Sequence, residues 1–327
     1  MPERPAERLS AVLGTAVGTL ADAGVPSPRV DAEILLAHTL GVDRGEVRRL
    51  VLLDAPLDAS RGAGSDDGSV AAAGAAERFG GLVARRARRE PLQHLTGVAP
   101  FRHLELAVGP GVFVPRPETE EVAQVAIDAA ASAVRDRGTA VVVDLCTGSG
   151  AIALAVATEV AGTSVHAVEL DAAAHGWAAR NVAALSPAGA DAVVRLVRGD
   201  ARTALGDLDG RVDVVVSNPP YVPPGAVPQD PEVADHDPPV ALYGLGSDGL
   251  EVPRGVTAAA RRLLRPGGVL VMEHAEVQAA AARAMVTDAG FVDVGTRADL
   301  TGRPRMTVGR TPDGASGGPR TVTDWGV

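Results

Sequence analysis

The sequence contains no lysine, so all 31 of its basic residues are arginine. That excludes Schiff-base chemistry, lysine-anchored pyridoxal sites and the P-loop kinases. A single cysteine, Cys146, in 327 residues excludes a disulfide framework and a thiolate metal cage. Positive charge is also in deficit. With 41 acidic residues the net charge is −10, which argues against gripping nucleic acid by its phosphates. No apolar run approaches the roughly 18 residues of a membrane span. The start, Met1-Pro-Glu-Arg-Pro-Ala-Glu-Arg8, has no hydrophobic signal core. A soluble, cytoplasmic chain with no membrane partner is expected.

What is present is enough to fold. Hydrophobic residues make up 46% of the chain and charged residues 22%, so wholesale disorder is excluded. The length exceeds what one compact core usually holds, which predicts two domains or one large domain with an appendage. The abundance of alanine, glycine, valine, arginine and proline has the look of compositional drift, which makes the rare residue types informative. Asparagine occurs only at Asn181 and Asn218, and tyrosine only twice.

Helical spacing covers residues 7–53, with Leu9, Leu13, Val17 and Leu20 as one apolar stripe and Ile34, Leu35, His38 and Leu40 as a second that closes at Gly41. Residues 54–78, rich in Asp, Ala, Ser and Gly, predict a flexible insert. The next helix runs through Leu82 into Arg85-Arg86-Ala87-Arg88-Arg89, expected as a solvated helix end, with contact to a ribonucleoprotein surface as the alternative. Residues 94–116 predict short strands, at 94–97, 101–108 and 112–114, with Gly109-Pro110-Gly111 as the turn of a hairpin linker. After Pro117 strands and helices alternate. Strands are predicted at 140–145, 164–169, 193–198, 212–217 and 268–273, with a terminal pair at 291–296 and 304–310. Helices are predicted at 118–134, 151–160, 171–184 and 252–264. The order is that of a doubly wound α/β domain over 117–310. Residues 311–327 predict a disordered tail.

Two motifs carry chemistry. In Ala140-Val-Val-Val-Asp144-Leu-Cys146-Thr147-Gly148-Ser149-Gly150-Ala-Ile-Ala153, a buried strand meets a tight glycine turn and a helix start, where backbone N–H groups can face a ligand. Glu169 closes the next strand, where an acid accepts both hydroxyls of a ribose. A nucleotide-like ligand follows, but Gly148-x-Gly150-x-x-Ala153 satisfies the dinucleotide fingerprint as well. The second motif, Asn218-Pro219-Pro220-Tyr221, follows a predicted strand at its carboxyl end. A planar amide or aromatic amine is a poor nucleophile because its lone pair is delocalised. The Asn218 side-chain oxygen and the Pro219 carbonyl can hold its two N–H bonds, and Tyr221 can stack on it.

Together these motifs resemble the S-adenosylmethionine-dependent amino-methyltransferases. Further segments narrow the resemblance to the release factor glutamine methyltransferase family (PrmC/HemK): Arg29-Val-Asp-Ala-Glu-Ile-Leu-Leu36, Pro91-Leu-Gln-His-Leu-Thr-Gly97, Val114-Pro-Arg-Pro-Glu-Thr-Glu120, Glu273-His274 and Asp299-Leu-Thr-Gly-Arg-Pro-Arg305. The likeness runs from about residue 7 to 310. It implies a helical N-terminal substrate-recognition domain (1–93), a β-hairpin linker (94–116) and a Rossmann-like class I methyltransferase domain. It implies S-adenosyl-L-methionine as cofactor and the glutamine of the Gly-Gly-Gln motif in class 1 release factors as substrate. The chain would act as a monomer without direct nucleic acid contact. Carried over by position, Cys146, Thr147, Gly148, Ser149 and Gly150 would line the methionine part of the cofactor. Glu169 would hold its ribose, and Asp200 and Ala201 would flank its adenine. Asn218 would face both cofactor and substrate, holding the glutamine with Pro219, Pro220 and Tyr221. Two positions depart from the family pattern. Cys146 replaces a usual glycine, which predicts a slightly wider loop, and Ala201 replaces a usual aromatic, which leaves adenine without its usual stacking ring there.

Other residues have plainer readings beside functional ones. Arg116-Pro-Glu-Thr-Glu120 suits a helix start and also the wall of a glutamine entrance. Glu273-His274 could pair as acid and base. His94, His103 and His166 read as strand residues, and Cys146 as a packing residue. Rival activities are methylation of a ribosomal-protein glutamine, methylation of DNA or RNA amino groups, and nicotinamide-dependent oxidoreduction. The last would leave Asn218 to Tyr221 idle.

Overall fold

The computed structural model describes residues 8–57, 68–186 and 194–314. They fall into two compact units, one running to Val98 and including Pro228–His236, the other comprising Ala99–Val227 and the chain from Asp237.

The first unit is helical, with α1 (Leu9–Asp22), α2 (Pro28–Leu40), α3 (Arg44–Leu52), α4 (Gly68–Ala87) and α5 (Leu92–Thr96). Leu9, Leu13 and Leu20 are buried at helical spacing, as is Leu35. Ile34 and Leu40 are only partly buried and His38 is exposed, so the buried stripe of α2 runs instead through Ala32, Leu35 and Leu36. Two buried acids explain the rotation. Glu33 accepts from Arg29, Arg44 and Arg48 at 3.0, 2.8 and 2.9 Å. Burial alone would raise its carboxyl, but the bonds from Arg48 and Arg44 outweigh that and hold it below its usual range. Asp31 accepts from Arg86 at 2.8 Å.

Arg86 and Arg89 correct the reading of the arginine run. The helix ends at Ala87, Arg86 is buried, and both guanidinium groups bind Glu232, at 2.7 and 2.6 Å. Glu232 lies on α9 (Pro231–His236), which the sequence order places among the α/β elements and the structure groups with the helices. The insert is corrected too. Leu57 is buried, Leu9 donates to Ala55, and the backbone is helical from Gly68, because its alanines favour helix. The rest of the insert, 58–67, and the tail from 315 lie outside the described residues. Thr311, expected in the tail, is buried and bonded to Gly268 and Arg265.

The second unit opens with a hairpin of β1 (Val98–Phe101) and β2 (Leu104–Ala107), turning at Arg102-His103. Arg102 adopts φ +54, and its guanidinium binds Glu159 and Gln124. The Gly109-Pro110-Gly111 turn therefore lies beyond the hairpin, 112–114 is not a strand, and 94–97 belongs to α5 and Gly97 that caps it. Then follow α6 (Pro117–Arg137), β3 (Ala140–Leu145), α7 (Ala151–Glu159), β4 (Thr163–Glu169), α8 (Ala172–Leu185), β5 (Val194–Arg198) and β6 (Val212–Ser217). Past α9 come α10 (Pro239–Leu242), α11 (Glu251–Leu263), β7 (Leu264–Glu273), α12 (Ala279–Asp288), β8 (Val292–Ala298) and β9 (Pro304–Arg310). The strands form one sheet in the order β5-β4-β3-β6-β7-β9-β8, parallel except for β9, which runs against both neighbours. Val214 and Val216 face one apolar cluster with α6 and α7, and Val215 faces the other with α11, as strand alternation requires. The strand order reverses between β3 and β6, which makes their carboxyl ends the expected ligand position.

The ion-pair cluster of the first unit yields a stability prediction. Arg86→Ala strands Asp31 as a buried charge, while Glu232 keeps its bonds from Arg89, and should cost about 3–5 kcal/mol in denaturant unfolding. Arg195→Ala breaks only the exposed 3.5 Å pair with Asp207. It should change stability by about 0.5 kcal/mol or less.

Candidate functional site

At the end of β3 the side chain of Asp144 turns into the protein and closes the strand–turn–helix. It accepts from the Thr147 hydroxyl at 2.6 Å and from the Ala153 N–H at 3.1 Å. Burial pushes its carboxyl up to about 7, and its Oδ1 has no partner among the described residues. Gly148 and Gly150 take φ +59 and +87, values only glycine adopts without strain, and above Gly148 the space is open. Cys146 also has a positive φ, +63. An L-residue therefore sits in a left-handed conformation, and conformational strain is the visible consequence of the departure from glycine. Its thiol is held protonated, first by burial and then by the charges of Glu169 and Asp144.

Glu169, at the end of β4, reaches the same turn. One carboxylate oxygen accepts from Gly148 N–H and the other from Asp171 N–H, both at 2.8 Å. Burial nonetheless raises its pKa. Asn181, on α8, donates to the carbonyls of Ser149 and Ala107 and accepts from Ala107 N–H, which braces the turn against β2. Asp200 is held by its own neighbour: Arg202 binds both of its oxygens, at 2.6–3.0 Å. Ala201 is buried in the apolar cluster that includes Val168 and Leu205.

The second loop leaves β6. Ser217, wholly buried, donates to the Leu145 carbonyl at 2.6 Å and is that residue's register partner. This fixes the start of Asn218-Pro219-Pro220-Tyr221 beside the start of the glycine turn. The Asn218 side-chain NH2 donates to the Thr119 hydroxyl at 3.3 Å. Thr119 donates to Glu273 at 2.8 Å, and the Tyr221 hydroxyl donates to the other Glu273 oxygen at 3.2 Å. Gln278 donates to the Tyr221 carbonyl at 2.8 Å and the Asp248 carbonyl at 3.0 Å. Gly244 and Gly249 pack directly on this loop. A Cβ on Gly244 would sit 2.6 Å from the Pro220 oxygen, and one on Gly249 2.5 Å from the Tyr221 oxygen.

Glu273 and His274 are not a pair. Glu273, the last residue of β7, accepts from Thr119 and Tyr221, while His274, beyond the strand, contacts the Ala275 carbonyl through Nδ1 at 2.8 Å. Arg116-Pro-Glu-Thr-Glu120 starts α6 with Pro117 at the first position, and it also delivers Thr119 to Asn218. The sequence reading quoted Asp144 and Thr119 inside its motifs without giving either a role of its own, and it passed over Gln278 and the two loop glycines. Asn181 carried a signal in its rarity and Thr119 in the helix-start segment around it, and Gln278 and the two glycines carried none.

A profile described as Methyltransferase small domain matches residues 110–230, and one described as PrmC N-terminal domain matches residues 11–62. The release factor glutamine methyltransferase of Streptomyces coelicolor is 49% identical, over 92% of this chain and 98% of that protein. That of Mycolicibacterium smegmatis is 48% identical, over 91% and 96%. The chain belongs to the release factor glutamine methyltransferase family. The 4-amino-L-phenylalanine/4-methylamino-L-phenylalanine methyltransferase of Streptomyces pristinaespiralis is 40% identical over 87% of this chain and 89% of that protein. The two family profiles fall on the helical unit and on the part of the sheet that carries both loops. Among the described residues no helix is long and apolar enough to cross a membrane.

The loop packing predicts a stability contrast. Gly249→Ala puts a Cβ against backbone at φ +72 and should cost about 2–4 kcal/mol by denaturant unfolding, the sum of strain and displacement. Gly176→Ala, on open α8 surface, should stabilise by about 0.5–1 kcal/mol.

Proposed function

We propose that this chain methylates the side-chain amide nitrogen of the glutamine in the Gly-Gly-Gln motif of class 1 release factors. The observation that carries the reading is the state of Asn218. Its NH2 group is taken by Thr119, which leaves the side-chain oxygen as an acceptor at the carboxyl end of β6. The family membership and the names of the Streptomyces coelicolor and Mycolicibacterium smegmatis relatives support the same substrate.

S-adenosyl-L-methionine suits the neighbouring turn. The open space above Gly148, the Glu169 carboxylate fastened to Gly148 N–H, and the Asp144 oxygen without a partner make a cradle able to receive a ribose and a cationic amino-acid moiety. Bound there, the cofactor supplies an electrophilic sulfonium methyl group. Cys146, Thr147, Gly148, Ser149 and Gly150 would line its methionine part, Glu169 its ribose and Asp200 its adenine. Ala201 lies in the core and supplies no ring.

Asn218 Oδ1 and the Pro219 carbonyl accept the two N–H bonds of the substrate amide, and Pro219 and Pro220 restrict the backbone that aims that carbonyl. Tyr221 stacks on the amide plane, its hydroxyl anchored on Glu273. So held, the amide would present its nitrogen lone pair to the methyl group that the bound cofactor would supply, and the N–H proton displaced on methylation would leave along its bond to Asn218 Oδ1 or the Pro219 carbonyl and pass to water. Alignment carries the rate and no strong base is required.

Asn218→Ala is expected to lower methyl transfer to a release factor about a hundredfold or more, in the range for loss of a positioning or charge-stabilising hydrogen bond. Cofactor affinity measured by calorimetry should change little. Glu169→Ala should instead weaken cofactor binding by roughly 1–3 kcal/mol. The deciding assay supplies labelled cofactor with a release factor, its Gly-Gly-Ala variant, total ribosomal protein, DNA and 4-amino-L-phenylalanine. Label only in the unaltered release factor is the expected result. Label in the Gly-Gly-Ala variant or in another substrate at a comparable rate overturns the reading.

A further inference from the structure

The proposed chemistry uses Asn218 as an acceptor, yet a carboxamide can be turned over with little change of shape. Oriented the other way, it would offer an N–H where an acceptor is needed. What fixes it lies behind the loop, in residues given no role in the transfer itself.

Thr119 stands between Asn218 and Glu273. Its hydroxyl carries one hydrogen. Glu273, buried at the end of β7, takes that hydrogen at 2.8 Å and takes the Tyr221 hydroxyl hydrogen on its other oxygen at 3.2 Å. As a carboxylate Glu273 only accepts, so Thr119 is obliged to donate to it. The Thr119 oxygen is then left with lone pairs alone, and the partner it can take is the Asn218 NH2, at 3.3 Å. The chain of donors therefore runs in one direction, and its far end is the Asn218 oxygen facing the site. The same carboxylate fixes the Tyr221 ring.

We infer that Glu273 and Thr119 are positioning residues that polarise the Asn218 side chain, so that the charge on Glu273 decides which end of the Asn218 amide meets the substrate. The inference rests on the proposed role of Asn218.

Glu273 can lose that charge in an accessible pH range. Burial raises its carboxyl to about 7, against the bonds from Thr119 and Tyr221 and the charge of Arg305 on β9, while Glu118 on α6 raises it further. Above that pH the carboxylate is complete and the chain has one direction. As pH falls through it, the protonated acid can donate to Thr119, which frees the Thr119 hydrogen for the Asn218 oxygen.

The chain has two asparagines, so labelling with [15N]asparagine gives two side-chain NH2 pairs. Asn218→Ala assigns them. We expect the Asn218 pair to titrate near pH 7 in the full-length protein, with the Asn181 pair, on the turn that Asp144 closes, as the control that Glu273→Gln leaves unchanged. Glu273→Gln should abolish that titration, and Thr119→Val should shift the Asn218 pair at all pH values. In turnover at saturating cofactor, and at a temperature where the variant remains folded, Thr119→Val should lower kcat about tenfold or more, with cofactor Kd within about threefold. Thr119→Ser, which restores the hydroxyl, should recover most of the lost rate. The wild-type kcat should fall as pH drops through 7, and that limb should be missing in Glu273→Gln. Its loss separates Glu273 from Asp144, which also titrates near 7 and remains in the variant. An Asn218 pair indifferent to pH and to both substitutions overturns the inference. A titrating pair in a protein that methylates no release factor overturns the proposed function and leaves the donor chain standing.

Discussion

One hydrogen bond holds the two working loops together. Ser217 Oγ to the Leu145 carbonyl, fully buried, pins the last residue of β6 to the last residue of β3. Both strands lie at the reversal of strand order, so their loops leave side by side instead of being drawn apart by a crossover. Everything proposed for the site needs that adjacency, because a methyl donor on one loop and an acceptor nitrogen on the other must approach in line. The Val runs behind these residues do the rest by giving two rigid, buried strands whose ends cannot drift independently.

Three buried carboxyl groups then divide the work. Asp144 closes the turn on itself, Glu169 fastens the turn to β4, and Glu273 fastens the second loop to α6. Each accepts from neutral donors, which is how a buried acid is kept in place where no guanidinium forks it. Arginines hold other acids, and at the site Arg202 takes both oxygens of Asp200. In the helical unit Glu33, Asp31 and Glu232 are neutralised by guanidinium groups, a structural use of charge. A site that leaves its carboxyls weakly compensated is receptive to a cationic ligand, and one that spends its acids on arginine is closed to it.

Legibility followed the range of the interactions. β3 and β6 were readable because buried parallel strands are continuous apolar runs, and the glycine turn because its φ values demand glycine. Asn218 and Tyr221 stood out by rarity. The residues that aim them did not: Thr119 meets Glu273 across 154 positions and Gln278 meets Tyr221 across 57. The arginine run was misread for the same reason, since Glu232 lies 143 residues from Arg89. Local errors had local causes. Residues 94–97 fall in a five-residue helix too short to show a period, and the hairpin turns on Arg102 in a left-handed conformation instead of on the obvious Gly-Pro-Gly.

The absence of lysine turns out to matter less for chemistry than for architecture. Arg102 contacts Glu159 through Nε and Nη2, Gln124 through the same Nη2 and the Glu120 carbonyl through Nη1, and so ties the hairpin turn to α6 and α7 at once. An ammonium, with three donors on one atom, could not reach acceptors spread around a plane in this way. Glu33 shows the converse, with three guanidinium groups converging on one carboxylate. A methyl transfer that depends on alignment needs no lysine base or nucleophile. It needs elements that hold their places, and planar, many-toothed arginine is the residue suited to that.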